Sequence, residues 1–180
     1  MKKLIALLFI GLFSSAAMAE EWLFDVYLDK NKMGQHSFTL TEKDGVTTLT
    51  SRAKFNVKVL FVNAYSYNHT AKETWNKNCL SNIESKTTEN KVYTTVNGKL
   101  DNGHFMVDVN GKPQQTLTEC VSSFSYWNPK VVEQSELLNP QNGEYQKMHF
   151  DNLGNENIIV KGKATNTTHY RLLRDRKSVV

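Results

Sequence analysis

Hydrophobic and polar residues alternate with a period of two through most of this chain. Near the start, Trp22, Phe24, Val26 and Leu28 alternate with Leu23, Asp25, Tyr27 and Asp29. Successive side chains of a β-strand point to opposite faces, so this pattern predicts strands with one apolar and one polar face. Turn signals separate the runs and favour hairpin connections. They are Lys43-Asp44-Gly45, Asn97-Gly98, Asn102-Gly103, Asn110-Gly111, Asn142-Gly143 and Asn152-Leu153-Gly154. The pattern therefore predicts an antiparallel all-β protein.

The longest alternating run extends from Thr47 to Trp75. Its odd positions are mostly apolar or aromatic, and its even positions are mostly polar or charged. Because the run is longer than one ordinary strand, we expect a bend near Val62-Asn63-Ala64 that keeps the parity. The odd positions from Phe55 to Trp75 are predicted to face inward.

The segment near residues 120–142 does not show this alternation. It contains Pro129 and Pro140, each of which biases the preceding asparagine towards extended or turn geometry. A short helical turn is expected around Val131 to Ser135. Strands are expected to resume at Glu144 to Phe150, Asn157 to Ala164 and Thr167 to Leu173. The predicted fold class is an antiparallel meander that forms a strongly curved sheet or an incomplete β-barrel, with one irregular loop or short helical segment near 120–142.

The N-terminus has the features of a cleavable export signal. Lys2 and Lys3 precede the apolar stretch Leu4 to Phe13, and Ala17-Met18-Ala19 forms an A-x-A cleavage site. The apolar stretch is about half as long as a bilayer-spanning helix. We therefore expect cleavage after Ala19, a periplasmic location, and a single β-rich domain over residues 20–180 with no transmembrane helix.

Charge and cysteine content exclude several classes of function. Removal of Lys2 and Lys3 with the signal lowers the formal net charge from +4 to +2, which is too small to indicate nucleic-acid binding. The two cysteines, Cys79 and Cys120, are expected to form a disulfide in an oxidising compartment. They lack the C-x-x-C spacing of a redox pair, and the five histidines lack a metal-binding spacing. No metal and no cofactor is therefore expected.

Aromatic and titratable residues cluster at the odd positions near the end of the long run. The members of this set are Tyr65, Tyr67, His69, Glu73 and Trp75. Side chains at i, i+2 and i+4 share one face of a strand, so a histidine and a glutamate are predicted among aromatic residues on the inner face. Two interpretations are open: a buried and satisfied hydrogen-bonded pair, or a ligand-binding or acid–base site.

Three further residues are candidates for the same binding site. His36 shares its parity with the apolar residues Phe38 and Leu40, which predicts that it faces inward. Tyr126 and Trp127 place two large aromatic side chains beside a proline turn. They are expected either to cap a pocket or bind a partner, or to close the open end of the β-layer.

No catalytic residues are predicted. The sequence contains neither a G-x-S-x-G elbow nor a glycine-rich phosphate loop. A hydrolase that uses His69 and Glu73 is an alternative, but no third group with a defined role accompanies these two residues. Enzymatic activity is therefore not favoured.

Several blocks together resemble a family of exported bacterial β-rich proteins that is classified as a domain of unknown function. The blocks are Phe24 to Asp29 with Gly34 to Phe38, Lys58 to Phe61 with Tyr65 to Trp75, Tyr126 to Pro129, and Leu137 to Gly143. The resemblance implies an envelope protein and supplies no activity. It also implies a tryptophan-containing hairpin after Tyr170-Arg171-Leu172, whereas this chain ends at Val180. A truncated chain, or absent last strands that leave a sheet edge exposed, would explain the difference.

These observations favour a non-enzymatic periplasmic binding module for a lipid or another apolar or amphiphilic small molecule. One alternative is a structural or assembly factor that binds an envelope protein partner. Another is a small outer-membrane barrel, which alternation, export and size would also fit. The sequence does not identify the ligand.

Overall fold

The computed structural model describes residues 18–28, 30–59, 62–124 and 126–174. Almost all of the predicted export signal lies outside these ranges. The last two residues of the predicted signal, Met18 and Ala19, are the first two residues of a strand.

The described residues form eleven strands and one short helix. The strands are β1 (Met18–Leu28), β2 (Asn31–Lys43), β3 (Val46–Val59), β4 (Val62–Asn76), β5 (Cys79–Glu89), β6 (Val92–Asp101), β7 (His104–Val109), β8 (Lys112–Leu117), β9 (Glu136–Leu138), β10 (Tyr145–Val160) and β11 (Lys163–Arg174). A 3-10 helix spans Pro129–Glu133. No helix among the described residues has the length and apolar composition needed to cross a membrane.

The first eight strands form one antiparallel sheet in which every strand pairs with its neighbours in sequence. Strands β1 and β8 are the two edges of this sheet, which is not closed. The last three strands form a second sheet in the order β11-β10-β9. The predicted all-β antiparallel meander is confirmed.

Strands β3 and β4 confirm which face of the long run is buried. Tyr67, His69 and Ala71 are buried, while the intervening Asn68 and Thr70 are exposed. Strand β3 ends at Val59 and β4 already begins at Val62, so Val62-Asn63-Ala64 lies within β4. The two halves of the run pair as a hairpin in which odd positions lie opposite odd positions up to Val57 and Tyr65, where the register shifts.

A segment after β8, residues 120–148, turns back across the inner face of the large sheet, and we call it the cover. It begins at the predicted disulfide, where Cys79 and Cys120 are bonded with their Cα atoms 4.8 Å apart. Next to it, the Leu80 N–H donates a hydrogen bond to the carbonyl of Val121 at 2.8 Å. The 3-10 helix lies within the predicted irregular segment, and the Asn128 side chain caps its N-terminus.

The cover and the large sheet share one hydrophobic cluster. It joins sheet residues Trp75, Leu80, Ile83, Val96, Phe105 and Val107 to cover residues Val121 and Leu138. A second, smaller cluster packs the cover against the β10–β11 hairpin, and it contains Val131, Leu137 and Met148, with Phe150 and Leu172 packed beside them. Burial of the larger cluster is what holds the cover against strands β4 to β8.

The β10–β11 hairpin continues well beyond the cover. Every residue from 152 to 170 is exposed except the half-buried Thr167, and we call this part the arm. A register shift between Asn152 and Gly154 marks its base. The turn at Lys161 and Gly162, both with positive φ, marks its tip.

Candidate functional site

A cleft of about 340 Å³ lies between strands β2 to β4 and the cover. The sheet contributes His36, Phe38, Ser51, Ala53, Phe55, Tyr67, His69, Ala71 and Glu73 to its walls. The cover contributes Phe124, Tyr126, Asn139, Pro140, Gln141, Gln146 and Met148. The volume is at the lower end of the range for small-molecule sites, so a compact ligand fits it best.

Small side chains in the middle strand create this space. In the strand register, Ala53 pairs with His36 on one side and with His69 on the other. The two histidines are thus in one row across three strands, ~10 Å apart, with only a methyl group between them. In the next row Ser51 pairs with Ala71, which continues the gap.

Each imidazole on this face contacts a hydroxyl group of a neighbouring strand. His36 Nε2 lies 2.8 Å from Ser51 Oγ, and His69 Nδ1 lies 2.9 Å from Thr87 Oγ1. Among the described residues the second ring nitrogen of each histidine has no hydrogen-bond partner. A neutral imidazole can donate or accept through that nitrogen, depending on its tautomer.

Burial keeps both histidines neutral near pH 7. Burial, and to a smaller extent the nearby His36, lowers the pKa of His69 from 6.5 to about 4. Burial also lowers the pKa of His36. The row therefore presents uncharged hydrogen-bonding groups to a ligand.

Glu73 is almost completely buried, and its carboxylate is bound from two directions. It accepts a hydrogen bond from Trp75 Nε1 at 3.0 Å and from Ser123 Oγ at 2.9 Å. The bond from Ser123 joins the cover to the centre of the sheet. Glu73 therefore fixes the position of the cover beside the cleft, and these hydrogen bonds satisfy its buried carboxyl group.

Aromatic rings form the opposite end of the cleft wall. Phe55 and Tyr67 stack with their ring centroids 5.1 Å apart, and Tyr67 also stacks on His69 at 6.1 Å. Tyr65 extends the stack at 6.3 Å from Tyr67. Burial raises the pKa of the Tyr67 hydroxyl, so this group stays protonated and can donate a hydrogen bond.

Comparison with known protein families gives one match. Residues 24–179 match the family described as a domain of unknown function, DUF6134. The chain belongs to this family. All cleft residues, from His36 to Met148, lie within the DUF6134 match. No curated protein and no solved structure matches the chain.

The structure brings together most of the predicted site residues of this DUF6134 domain. His36, Tyr67, His69, Glu73 and Tyr126 line the cleft, and Tyr65 stacks beside it. His69 and Glu73 do not form the predicted pair, because residues i and i+4 of a strand have Cα atoms ~13 Å apart. His69 instead contacts the hydroxyl of Thr87, and Glu73 accepts a hydrogen bond from the hydroxyl of Ser123.

The two tryptophans among the predicted site residues pack in the core. Trp75 belongs to the larger core cluster, and Trp127 packs edge-on against it with ring centroids 5.7 Å apart. Neither is among the described residues that line the cleft. The indole N–H of Trp127 is buried and has no hydrogen-bond partner within the described part of the chain.

The sequence analysis identified neither the cleft residues of the cover other than Tyr126 nor the small residues of β3. Ala53 and Ser51 could have been found, because they share the inward parity of Phe55 in an otherwise bulky run. Gln146 and Met148 also alternate at the start of β10. Nothing local in the sequence indicates that Asn139, Pro140 and Gln141 reach the first sheet.

Proposed function

We propose that this protein is an exported, non-enzymatic binding module whose cleft holds a small apolar or amphiphilic molecule. The observation that carries the proposal is the cleft itself. Its aromatic and aliphatic walls surround two neutral histidines, each with one ring nitrogen available to a ligand. Apolar walls with a few convergent polar groups are typical of small-molecule sites.

The charges around the cleft narrow the class of ligand. Among the described lining residues there is no lysine or arginine, and Glu73 is the only carboxylate. A buried anion without a cationic partner would be strongly disfavoured here. The ligand is therefore an uncharged or cationic amphiphile rather than a fatty acid or a phosphorylated compound.

A matched pair of fluorescent probes tests this ligand class. N-phenylnaphthylamine is neutral, and 8-anilinonaphthalene-1-sulfonate has the same aromatic system with an added sulfonate. We expect saturable binding of the neutral probe and at least roughly tenfold weaker binding of the anionic one, because the sulfonate would have no cationic partner in the cleft. Equal or reversed affinities would contradict the proposed ligand class.

Substitution of Ala71 tests whether the neutral probe binds inside the cleft. Ala71→Leu adds side-chain volume inside the cleft and should weaken neutral-probe binding at least roughly tenfold, since lost contacts and steric overlap act together. Ala164→Leu makes the same change on the exposed arm and is the matched control. If both variants bind like the wild type while remaining folded, the probe is not in the cleft and the proposal is wrong.

The location is tested separately. In a bacterial host, the chain recovered from the periplasm should begin at Glu20 when its mass is measured. Recovery of the full-length chain in the cytoplasm would contradict export. Extraction of that periplasmic protein with organic solvent would then identify any natural ligand by mass.

A further inference from the structure

The arm is an extended two-stranded ribbon, and no other described part of the chain forms a second layer on either of its faces. Strand β10 runs from the cleft residue Met148 to the turn at Lys161, a distance of ~40 Å at the usual rise of a strand. Beyond Asn152 its residues pair only with β11 among the described strands. A lone two-stranded hairpin is at best marginally stable in water, so this shape suggests that the tip has a binding partner.

The tip of the arm combines apolar and cationic residues. Ile158, Ile159 and Val160 are consecutive and are 43%, 72% and 42% exposed. Lys161 lies in the turn that follows them, Lys163 comes directly after this turn, and both lysines are exposed. The sequence from 157 to 168 contains these two lysines and no aspartate or glutamate. The tip is therefore complementary to an apolar surface that also carries negative charge.

The directions of the three apolar side chains favour a membrane over a folded protein as the binding partner of the tip. Adjacent residues of a strand point to opposite faces, so Ile159 lies on one face and Ile158 and Val160 lie on the other. A folded protein packed against one face would leave apolar side chains of the other face in water. The interface of a lipid bilayer surrounds the tip and covers both faces at once.

We propose that the arm tip, residues 157–165, docks onto an anionic membrane surface. Ile158, Ile159 and Val160 enter the interfacial region, and Lys161 and Lys163 contact lipid phosphates. Insertion stays shallow, because the outer edges of a two-stranded ribbon carry backbone groups that cannot remain unpaired in hydrocarbon. The membrane site is separate from the cleft and does not depend on what the cleft binds.

Vesicle flotation tests the proposal. The chain is used in the form that the host exports, with its N-terminus read by mass, and all variants are prepared in that form. We expect it to float with vesicles of phosphatidylcholine and phosphatidylglycerol more strongly than with phosphatidylcholine alone. Added salt should weaken this binding, since the attraction between the lysines and the phosphates is screened.

Two arm variants with matched controls locate the contact. Lys161→Ser with Lys163→Ser should reduce affinity for the anionic vesicles roughly 30-fold, given the usual contribution of a lysine near such a surface. Lys99→Ser with Lys112→Ser changes two other exposed lysines and should have no effect. Ile159→Asn should reduce binding roughly tenfold or more. Val92→Asn, at a position 67% exposed beside another hairpin turn, should not.

Three results would overturn the proposal. Arm variants that float like the wild type would show that another surface contacts the vesicles. Absence of flotation together with a dimer that Ile159→Asn dissociates would make the tip a contact between two copies of the chain. Absence of both would make the tip a solvated hairpin. The cleft variant Ala71→Leu should float normally, so failure of the proposed ligand site leaves this test unaffected.

Discussion

The wall of the cleft and the arm are both antiparallel hairpins, yet only the first is buried. Along β4, from Tyr67 to Trp75, every odd position is buried, and every even position is exposed except the half-buried Thr74. Along β10 the same alternation lasts from Gln146 to Met148 and is then lost. The difference is the cover, which packs against the inner face of β4 and does not extend over the arm.

The arm differs from the wall in strand pairing as well as in burial. Strand β10 pairs with β11 in continuous register except at one shift, but in the arm it pairs on one side only, whereas β4 pairs with both β3 and β5. Among the described residues the arm also lacks a second layer, and burial of apolar side chains is the dominant favourable term in folding. We therefore expect substitutions in the wall to change stability far more than equal substitutions in the arm.

The largest expected difference comes from truncating one aromatic residue in each region. Trp75 is 2% exposed in the main core, and Tyr170 is 41% exposed on the arm. Trp75→Ala should lower the free energy of unfolding by about 3–5 kcal/mol, and Tyr170→Ala by less than about 1 kcal/mol. Urea denaturation followed by circular dichroism measures both values. Similar losses would show that the arm is covered in solution.

The disulfide should have the next largest effect, because it anchors the cover at its first residue. Cys79 and Cys120 are separated by 41 positions, and loss of a link across such a loop should destabilise the protein by about 4 kcal/mol. Urea denaturation compares the double variant Cys79→Ser with Cys120→Ser against the oxidised wild type. The wild type under reducing conditions is the control for the two substitutions themselves. Equal stability of oxidised wild type and double variant would mean that the cover docks without this anchor.

The titration of His69 should produce a smaller effect that depends on pH. Its pKa is about 4 in the folded protein and 6.5 ordinarily, so between these values the unfolded chain binds more protons. The stabilising contribution of neutral His69 is thus complete above pH 6.5 and is lost as pH falls towards 4, by up to about 3 kcal/mol.

A histidine on the surface provides the control for this titration. His69→Asn should flatten the dependence of unfolding free energy on pH in that window, measured by urea titrations at several pH values. His104→Asn, at an exposed hairpin position, should leave the dependence unchanged. A pH profile that His69→Asn does not alter would show that other groups cause the acid sensitivity.

The smallest expected effect on stability is at the tip of the arm. Ile159 is 72% exposed and pairs across the ribbon with Ala164. Ile159→Asn should change the free energy of unfolding by less than about 0.5 kcal/mol, as is usual for surface substitutions. A much larger loss in the thermal or urea transition would mean that the tip packs against something in the isolated protein.

Local turn chemistry predicted many of the hairpins correctly. Asp44-Gly45, Asn102-Gly103 and Asn110-Gly111 all connect strands, with positive φ at both residues of each pair. In Asn97-Gly98 the same chemistry was misleading, because this pair lies inside β6. A Cβ on Gly98 would approach the Phe105 ring to 2.5 Å, so tertiary packing requires this glycine.

A similar ambiguity affected the arm. Asn152-Leu153-Gly154 predicts a hairpin turn, but in the structure it is the site of a register shift within β10. The chain turns at Lys161-Gly162 instead. The predicted strands Asn157 to Ala164 and Thr167 to Leu173 thus belong to one hairpin with its turn inside the first of them. A consecutive apolar run gives no period-two signal that would have placed this turn.

The cleft could be predicted only in part, for a physical reason. Parity along β2 and β4 placed His36, Tyr67 and His69 on one inner face, because that placement depends on neighbouring residues alone. The opposite wall depends on contacts such as Ser123 with Glu73, which are 50 positions apart. Such pairings follow from how the whole cover packs, and no local pattern encodes them.

That separation along the chain also has a consequence for how the cleft forms. Contacts within the large sheet join successive hairpins, whereas Ser85 in β5 donates a hydrogen bond to the carbonyl of Pro140, 55 positions away. Ordering a longer loop costs more entropy before any contact offsets it. We therefore expect the meander to assemble first, hairpin by hairpin, and the cover to dock last. A newly made chain would have most of its strands before it has any place to bind a ligand.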